Sequence, residues 1–410
     1  MTGLTGPLSE ADVYEGRKPG VRAVPRSRIT VCYPLAGDSL GGSHVSLLGL
    51  LGQLDDAQYR KLVVPEIAGG RLSQFFSAFE QVPDPAAPCE SFAPGRSFGL
   101  LKAARTLSGL GRRTRFLREN AIDIVHTNDG RSHATWALAA KLAGARLVWH
   151  HRGDPEARGL RYVAPWLADS IVTVSRFSLP RSRIGAARSA RVIYSPFDVS
   201  ITADRKMCRA RMLDVLGCSP DTVICGFFGS FVDRKRPLAF VDAVVGLRGR
   251  LDRPVVGVMF GEAKHEQMKT ALERRIGQAD VAGAVRLLGY RVPGHEWIAA
   301  CDMLLVPAVN EPLGRTLVEA MLVHTPVIAV DSGGNPEALE QGAGVLVPPD
   351  DPPAMAAAAN FLLDNPDAKV AMTDRAALTA VSRFSQKNHR EALERVYSEL
   401  VAANADPASA

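Results

Sequence analysis

Apolar residues along this chain fall into short dense runs, most of them followed by a glycine turn and then by apolar positions at helical spacing. Short apolar runs bounded by turns read as buried strands, and the wider spacing reads as one face of a helix. In the first half the pattern predicts strands at Ile29–Tyr33, Lys61–Pro65, Ile122–His126, Leu147–His150, Ser170–Val174 and Val192–Tyr194. It predicts helices at His44–Leu54, after Gly37, Gly41 and Gly42, and at Ala134–Leu142. The texture changes from Ser200 to Thr222, where Arg205–Leu216 predicts a basic helix stopped by Gly217, and Ser219-Pro220-Asp221 a turn. A second alternation then predicts strands at Val223–Phe228, Val255–Phe260, Val285–Leu288, Met303–Val306, Val327–Val330 and Gly344–Val347. Helices at Phe240–Leu247, Gln267–Ile276, Trp297–Cys301 and Thr316–Leu322 separate them. A last helix is predicted over Gln386–Val401, with nothing in its pattern to say what it packs against.

Strands alternating with helices imply a parallel sheet covered on both faces. Two such alternations in sequence predict an α/β chain of two Rossmann-like, doubly wound domains facing a cleft. The expected division is a flexible tail over 1–28, one domain over 29–198, a second over 199–385, and a C-terminal helix and tail over 386–410. Ligands of such sheets bind beyond the carboxyl ends of the strands, so chemistry is expected just after strands and between the domains.

Composition narrows the class. With 410 residues, 46% hydrophobic and 22% charged, the chain has the mix of a globular protein rather than a disordered, collagenous or coiled-coil one. Lysine plus arginine exceeds aspartate plus glutamate by 49 − 43 = 6, a mild bias that suits an anionic ligand or membrane face without pointing to nucleic acid. The six cysteines, Cys32, Cys89, Cys208, Cys218, Cys225 and Cys301, form no CxxC pair and read as reduced thiols. The first residues, Met1 to Val24, show no signal pattern and no run is apolar enough to span a bilayer, so a cytoplasmic protein is expected.

The most informative segment runs from Asn310 through Glu311, Pro312, Leu313, Gly314, Arg315, Thr316 and Glu319 to Met321, after the predicted strand Met303–Val306. Pro312 and Gly314 suit a tight turn, and the amides that open the following helix suit a phosphate. Glu311 and Glu319 are then placed to reach a group beside the phosphate and a diol further off.

Two glutamates seven residues apart, in a Glu-Pro-Leu-Gly…Glu-Ala-Met frame, resemble the donor-site signature of retaining glycosyltransferases of GT-B fold, family 4. Flanking segments resemble the family in the same order: Asp302–Pro307, Pro326–Val330, Gly333-Gly334-Asn335-Pro336-Glu337, Gly344–Pro349, Arg383-Phe384-Ser385 and Val396-Tyr397. The resemblance covers 223–400 closely and the first half more loosely. It implies a donor-binding second domain and an acceptor-side first domain. Glu311 would hydrogen-bond the transferred sugar, Glu319 would accept from the nucleotide ribose, and the amides around Gly314, Arg315 and Thr316 would hold the distal phosphate. Lys235, after Gly229-Ser230, resembles the pyrophosphate lysine, whose charge would offset that of the departing diphosphate. The family commonly has arginine where this chain has Ser230, and Arg234 or Arg236 is the candidate substitute. Gly41-Gly42 resembles the glycine loop near donor and acceptor, and His151 the strand-end histidine that contacts the sugar or its departing oxygen. His150 reads equally as a structural histidine, His126 and Asn128 are further cleft candidates, and Ser175-Arg176-Phe177 fits a structural turn. Ser195-Pro196-Phe197-Asp198 stands in place of the usual interdomain Asn-Gly.

The expected function is therefore transfer of a sugar from a UDP- or GDP-linked donor to an unknown hydroxyl acceptor, lipid-linked or small, with His151, Glu311 and Lys235 as catalytic candidates. No cofactor and no essential metal are expected, since no Asp-x-Asp, zinc-spaced or P-loop motif occurs. Between Arg96 and Arg118 lie Arg96, Lys102, Arg105, Arg112, Arg113, Arg115 and Arg118 among leucines and Phe116, with no acidic residue. That stretch suits peripheral contact with the anionic inner membrane face, or equally a solvated surface helix. A sugar-nucleotide epimerase or hydrolase, or a catalytically silent binding module, are the alternative readings.

Overall fold

The computed structural model describes residues 28–86 and 109–405. The predicted tail (all but Arg28), Cys89 and the first half of the basic stretch lie outside those residues. Among the described residues, twelve strands form two sheets, six in each. The first contains β1 (Ile29–Leu35), β2 (Tyr59–Pro65), β3 (Ile124–Thr127), β4 (Arg146–His151), β5 (Ser170–Thr173) and β6 (Arg191–Val192), in the order β2-β1-β3-β4-β5-β6. The second contains β7 (Val223–Phe228), β8 (Val255–Phe260), β9 (Val285–Leu287), β10 (Met303–Val306), β11 (Val327–Val330) and β12 (Val345–Val347), in the order β12-β11-β10-β7-β8-β9. Every pairing is parallel. The second order is the doubly wound arrangement in which the chain reverses its direction of growth between β7 and β10.

Strand side chains alternate between faces, and here both faces are covered. In β7, Val223, Cys225 and Phe227 enter one core while Ile224 and Phe228 enter the other. In β10, Met303 and Leu305 divide from Leu304 and Val306 in the same way. Strands buried on both sides lose the polar alternation and become the apolar runs seen in the sequence.

Two features depart from the pattern-based reading. Residues 352–384, left without an element, form the helices Pro352–Asp364 and Pro366–Phe384. The closing helix, Gln386–Ala405, does not stand apart from the domains. Its Leu393, Val396 and Tyr397 are buried with Val31, Tyr33 and Val148 of the first sheet, so its apolar face completes that core. The chain thus crosses between the two halves twice, and the crossings are tied together. Phe197 donates its amide to the Phe384 carbonyl at 2.8 Å, and Gln386 donates to the Phe197 carbonyl at 3.2 Å.

The described half of the basic stretch is the helix Leu110–Glu119. Arg112, Arg115 and Arg118 are exposed along one face of it, while the fourth arginine is not on that face. Arg113 is buried, forms a 2.8 Å ion pair with buried Asp84, and lies over the Trp136 ring. Arg118 donates to the Leu142 carbonyl. Among the described residues, no helix is long and apolar enough to cross a membrane.

Candidate functional site

The reversal between β7 and β10 separates the loops that follow them, and the crevice opens there. Gly229 ends β7 with φ +139, a conformation side chains rarely adopt. The single turn Asp233–Lys235 follows, and Arg236 then opens the helix Pro237–Arg248. The Val309 amide donates to the Arg234 carbonyl at 2.9 Å, which fixes this turn against the loop after β10.

The loop after β10 is shaped from below by Gly333-Gly334-Asn335. Gly334 donates its amide to the Glu311 carbonyl at 2.8 Å. Ser332 Oγ accepts from the Asn310 amide, and Asn335 Nδ2 donates to the carbonyls of Ala308 and Val330. A side chain on Gly333 would place its Cβ 2.6 Å from the Glu311 backbone nitrogen and oxygen. Held this way, the Glu311 carboxylate is nearly buried and pairs with both Arg234 and Lys235, the Lys235 Nζ lying 2.9 Å away. Burial pushes its pKa up, but the two cations outweigh that and hold it below the ordinary glutamate value, so Glu311 is ionised at neutral pH. Of the two candidate substitutes for the arginine absent at Ser230, Arg234 is in the site. Arg236 turns outward to Asp350 at 2.9 Å.

Gly314 caps the helix Arg315–Leu322 without any side-chain acceptor, and Arg315 and Thr316 line the crevice. Arg315 reaches across to the first domain, donating to Ser46 Oγ at 3.1 Å and the Pro196 carbonyl at 3.3 Å, with its guanidinium 4.2 Å from the Phe197 ring. A Cβ on Gly42 would meet Arg315 Cδ at 2.9 Å, so the first-domain glycine loop is bare where this arginine crosses. Glu319 sits one turn further along the helix, 3.9 Å from Arg315. Burial raises its pKa above the usual carboxylate value, and Arg315 counters that only in part.

The opposite wall follows β3 and β4. Successive strand residues face opposite ways, and this separates the paired histidines. His151 lines the cleft, where its Nε2 donates to the Asp154 carbonyl at 2.8 Å, and burial pushes its pKa down, so it is neutral at pH 7. His150 turns into the core, with its Nδ1 3.0 Å from His126 Nε2. His126 in turn bonds Tyr397 of the closing helix, so it belongs to this buried cluster and not to the cleft.

The two walls enclose a cleft of about 1130 Å³. It brings together Gly42, His151, Gly229, Ser230, Arg234, Lys235, Glu311, Arg315 and Thr316. Gly41, Gly314 and Glu319 lie outside its lining, the first two as helix caps. The structure adds residues that the sequence did not single out. Arg152 and Lys264 line the cleft, each a cation just beyond a strand end, which is the one signal that marks them. Glu337 is a buried clasp between domains, accepting from the Arg176 amide at 2.7 Å and the Tyr194 hydroxyl at 2.8 Å.

Residues 222–365 match the family described as "Glycosyl transferases group 1". Among curated proteins, the D-inositol 3-phosphate glycosyltransferase of Streptomyces avermitilis is 34% identical over 70% of this chain and 67% of its own length. The alpha-D-kanosaminyltransferase of Streptomyces kanamyceticus is 28% identical over 54% of this chain and 56% of its own. The chain spans about half the length of the first of these curated relatives that it matches. Among solved structures, Anabaena HepE in complex with UDP and glucose superposes with a TM-score of 0.76 over 90% of this chain and 99% of that one, at 21% identity. A glycosyltransferase from Rickettsia africae gives 0.75 over 92% of this chain and 99% of that one, at 16% identity. The fold is shared at that distance, and the S. avermitilis relative extends the kinship through the sequence of both domains: the chain belongs to the group 1 glycosyl transferases, family 4, of GT-B fold.

Proposed function

We propose that this chain is a cytoplasmic enzyme that transfers a sugar, with retention of anomeric configuration, from a UDP- or GDP-linked donor to a hydroxyl acceptor. The observation that carries this reading is the Glu311 carboxylate ion-paired with Arg234 and Lys235 at the reversal between β7 and β10, beside the uncapped helix start at Gly314. In that reading the diphosphate lies over Lys235, Arg234 and the first helix amides, whose charge stabilises the leaving group without a divalent ion. The bond from anomeric carbon to phosphate oxygen breaks. The acceptor oxygen bonds that carbon on the same face, and its proton passes to the departing phosphate. Glu311 accepts from sugar hydroxyls, and His151, neutral and turned into the cleft, contacts the sugar from the first-domain wall.

The test is incubation with UDP- and GDP-sugars, read by release of nucleoside diphosphate and by the anomeric proton coupling of the product. Donor turnover that Glu311→Gln abolishes, with an unchanged anomeric configuration, supports the reading. An inverted product overturns retention, and a donor that is only epimerised overturns transfer.

A further inference from the structure

The first-domain wall holds a cation that the donor chemistry does not use. Arg152 follows β4 and lines the cleft, yet among the described residues it has no carboxylate partner. Its guanidinium donates to Asn128 Oδ1 from Nη2 at 3.2 Å and from Nε at 3.4 Å and to Ser195 Oγ from Nη1 at 3.2 Å, and Nη2 lies 3.3 Å from His150 Nδ1, all neutral groups. The nearby carboxylates are committed elsewhere. Asp129 caps the helix Gly130–Ala143 by accepting from the Arg131 and Ser132 amides, and Asp154 accepts from the Glu156 amide. Arg315 is the charged side chain that acts on Arg152 most, and it is also a cation. Burial first, and Arg315 second, push the Arg152 pKa down to about 9, which leaves it protonated at pH 7.

A charge drawn out of water without a counter-ion is costly, and such an arrangement persists where a ligand supplies the opposite charge. A guanidinium whose bonds all run to neutral acceptors keeps its charge unneutralised, and one Nη1 hydrogen is left uncommitted, so it can take an oxyanion as counter-ion. The donor diphosphate has its own cations, Arg234 and Lys235, on the other wall. We propose, resting on the transferase reading above, that Arg152, within the positive field of Arg315, forms a subsite for an oxyanionic group, phosphate or carboxylate, carried by the acceptor. The acceptor is then an anionic alcohol, and Arg152 is the residue that selects it over its neutral counterpart.

Inorganic phosphate is the probe, titrated calorimetrically into full-length protein already saturated with whichever of UDP or GDP binds it. Phosphate is expected to bind the saturated wild type. Arg152→Gln is expected to weaken phosphate by at least about tenfold while nucleotide affinity stays within about twofold, and Arg152→Lys, which keeps the charge but loses the anchoring bonds to Asn128 and Ser195, falls between. Should Arg152→Gln fail to fold, the Lys variant alone carries the comparison. No phosphate binding to the saturated wild type, or equal binding to the variants, overturns the subsite. A loss of nucleotide affinity in Arg152→Gln hands the residue to the donor and overturns it as well. If neither nucleotide binds the wild type, the transferase reading falls and the subsite with it.

Discussion

Lys235 Nζ lies 2.9 Å from Glu311 Oε2, joining the loops that follow β7 and β10 at the point where the second sheet reverses. In the transferase reading proposed above, the pair couples two tasks. A diphosphate that takes Lys235 as its counter-ion releases one of the two charges holding Glu311, and the carboxylate becomes available to sugar hydroxyls. Donor phosphate and donor sugar are then recognised by one exchange of partners.

Lys235→Ala tests that coupling. Charge on the leaving diphosphate grows toward the transition state, so turnover at saturating donor is expected to fall by about 10²–10³ while donor affinity falls much less. The Glu311 carboxyl should also titrate higher, because burial is then opposed by Arg234 alone. Steady-state kinetics beside calorimetry give the comparison, and a wild-type turnover number makes Lys235 a bystander.

Gly333→Ala tests the mould beneath Glu311. Gly333 has φ +64, and its Cβ would collide with the Glu311 backbone. A strained glycine site of this kind loses about 1–3 kcal/mol on substitution. The loss of activity is expected to exceed what the urea midpoint explains, because the displaced loop carries Glu311. Gly111→Ala is the contrast, since its Cβ meets nothing within 4 Å in the helix Leu110–Glu119, and it should keep both stability and activity.

The inner strands are legible in the sequence because each is buried on both faces, and Val223–Phe228, Val255–Phe260, Met303–Val306 and Val327–Val330 begin and end where their apolar runs do. The helices over 352–384 are not, because small alanines such as Ala356, Ala359, Ala376 and Ala380 carry the buried face and give little periodic signal. The side chains after β7 and β10 are legible as site candidates from the strand-end rule together with the family resemblance. Arg152 meets the same rule but nothing beyond it singles the residue out, and Glu337 is distinguished only by its partners on the other domain. The closing helix could not be placed because Tyr397 finds Tyr33 and His126 only through the tertiary fold.

Four buried histidines are expected to weaken the fold as pH falls. Burial pushes His126, His133 and His150 well below the ordinary value, and burial with Arg152 nearby pushes His389 down to about 3. Below about pH 6.5 the unfolded chain takes up protons there that the folded chain refuses, so stability falls as pH drops, by about 1.4 kcal/mol per pH unit for each excluded histidine. For His389 this runs from about 6.5 to about 3, and above 6.5 it contributes no slope. Urea unfolding from about pH 7.5 to about pH 5 should show the decline, with a shallower slope in His389→Gln whatever that variant's stability at neutral pH. An unchanged slope would mean that His389 accepts its proton in the fold.

Glu319, the residue expected at the nucleotide ribose, offers a titration that tests that expectation. Its carboxyl is partly buried one turn into its helix, Arg315 lies at a loose 3.9 Å, and that burial raises its pKa. If it accepts from both ribose hydroxyls, Glu319→Ala loses a charge-assisted contact of about 1.5–3 kcal/mol, roughly 10- to 150-fold in affinity for the nucleoside diphosphate. Acid should reproduce part of that loss in the wild type. A raised pKa means that protonation begins above the ordinary carboxylate range, and the proton removes an acceptor, so affinity weakens as pH falls and is complete only on the alkaline side. Glu319→Gln cannot titrate and should lack this limb. The ligand's own phosphate ionisation acts on both proteins alike and cancels in the ratio of their affinities. That ratio, followed calorimetrically from neutral pH downward, should shrink as the wild-type carboxyl protonates. A ratio that stays flat removes Glu319 from the ribose and leaves its burial as a matter of helix packing.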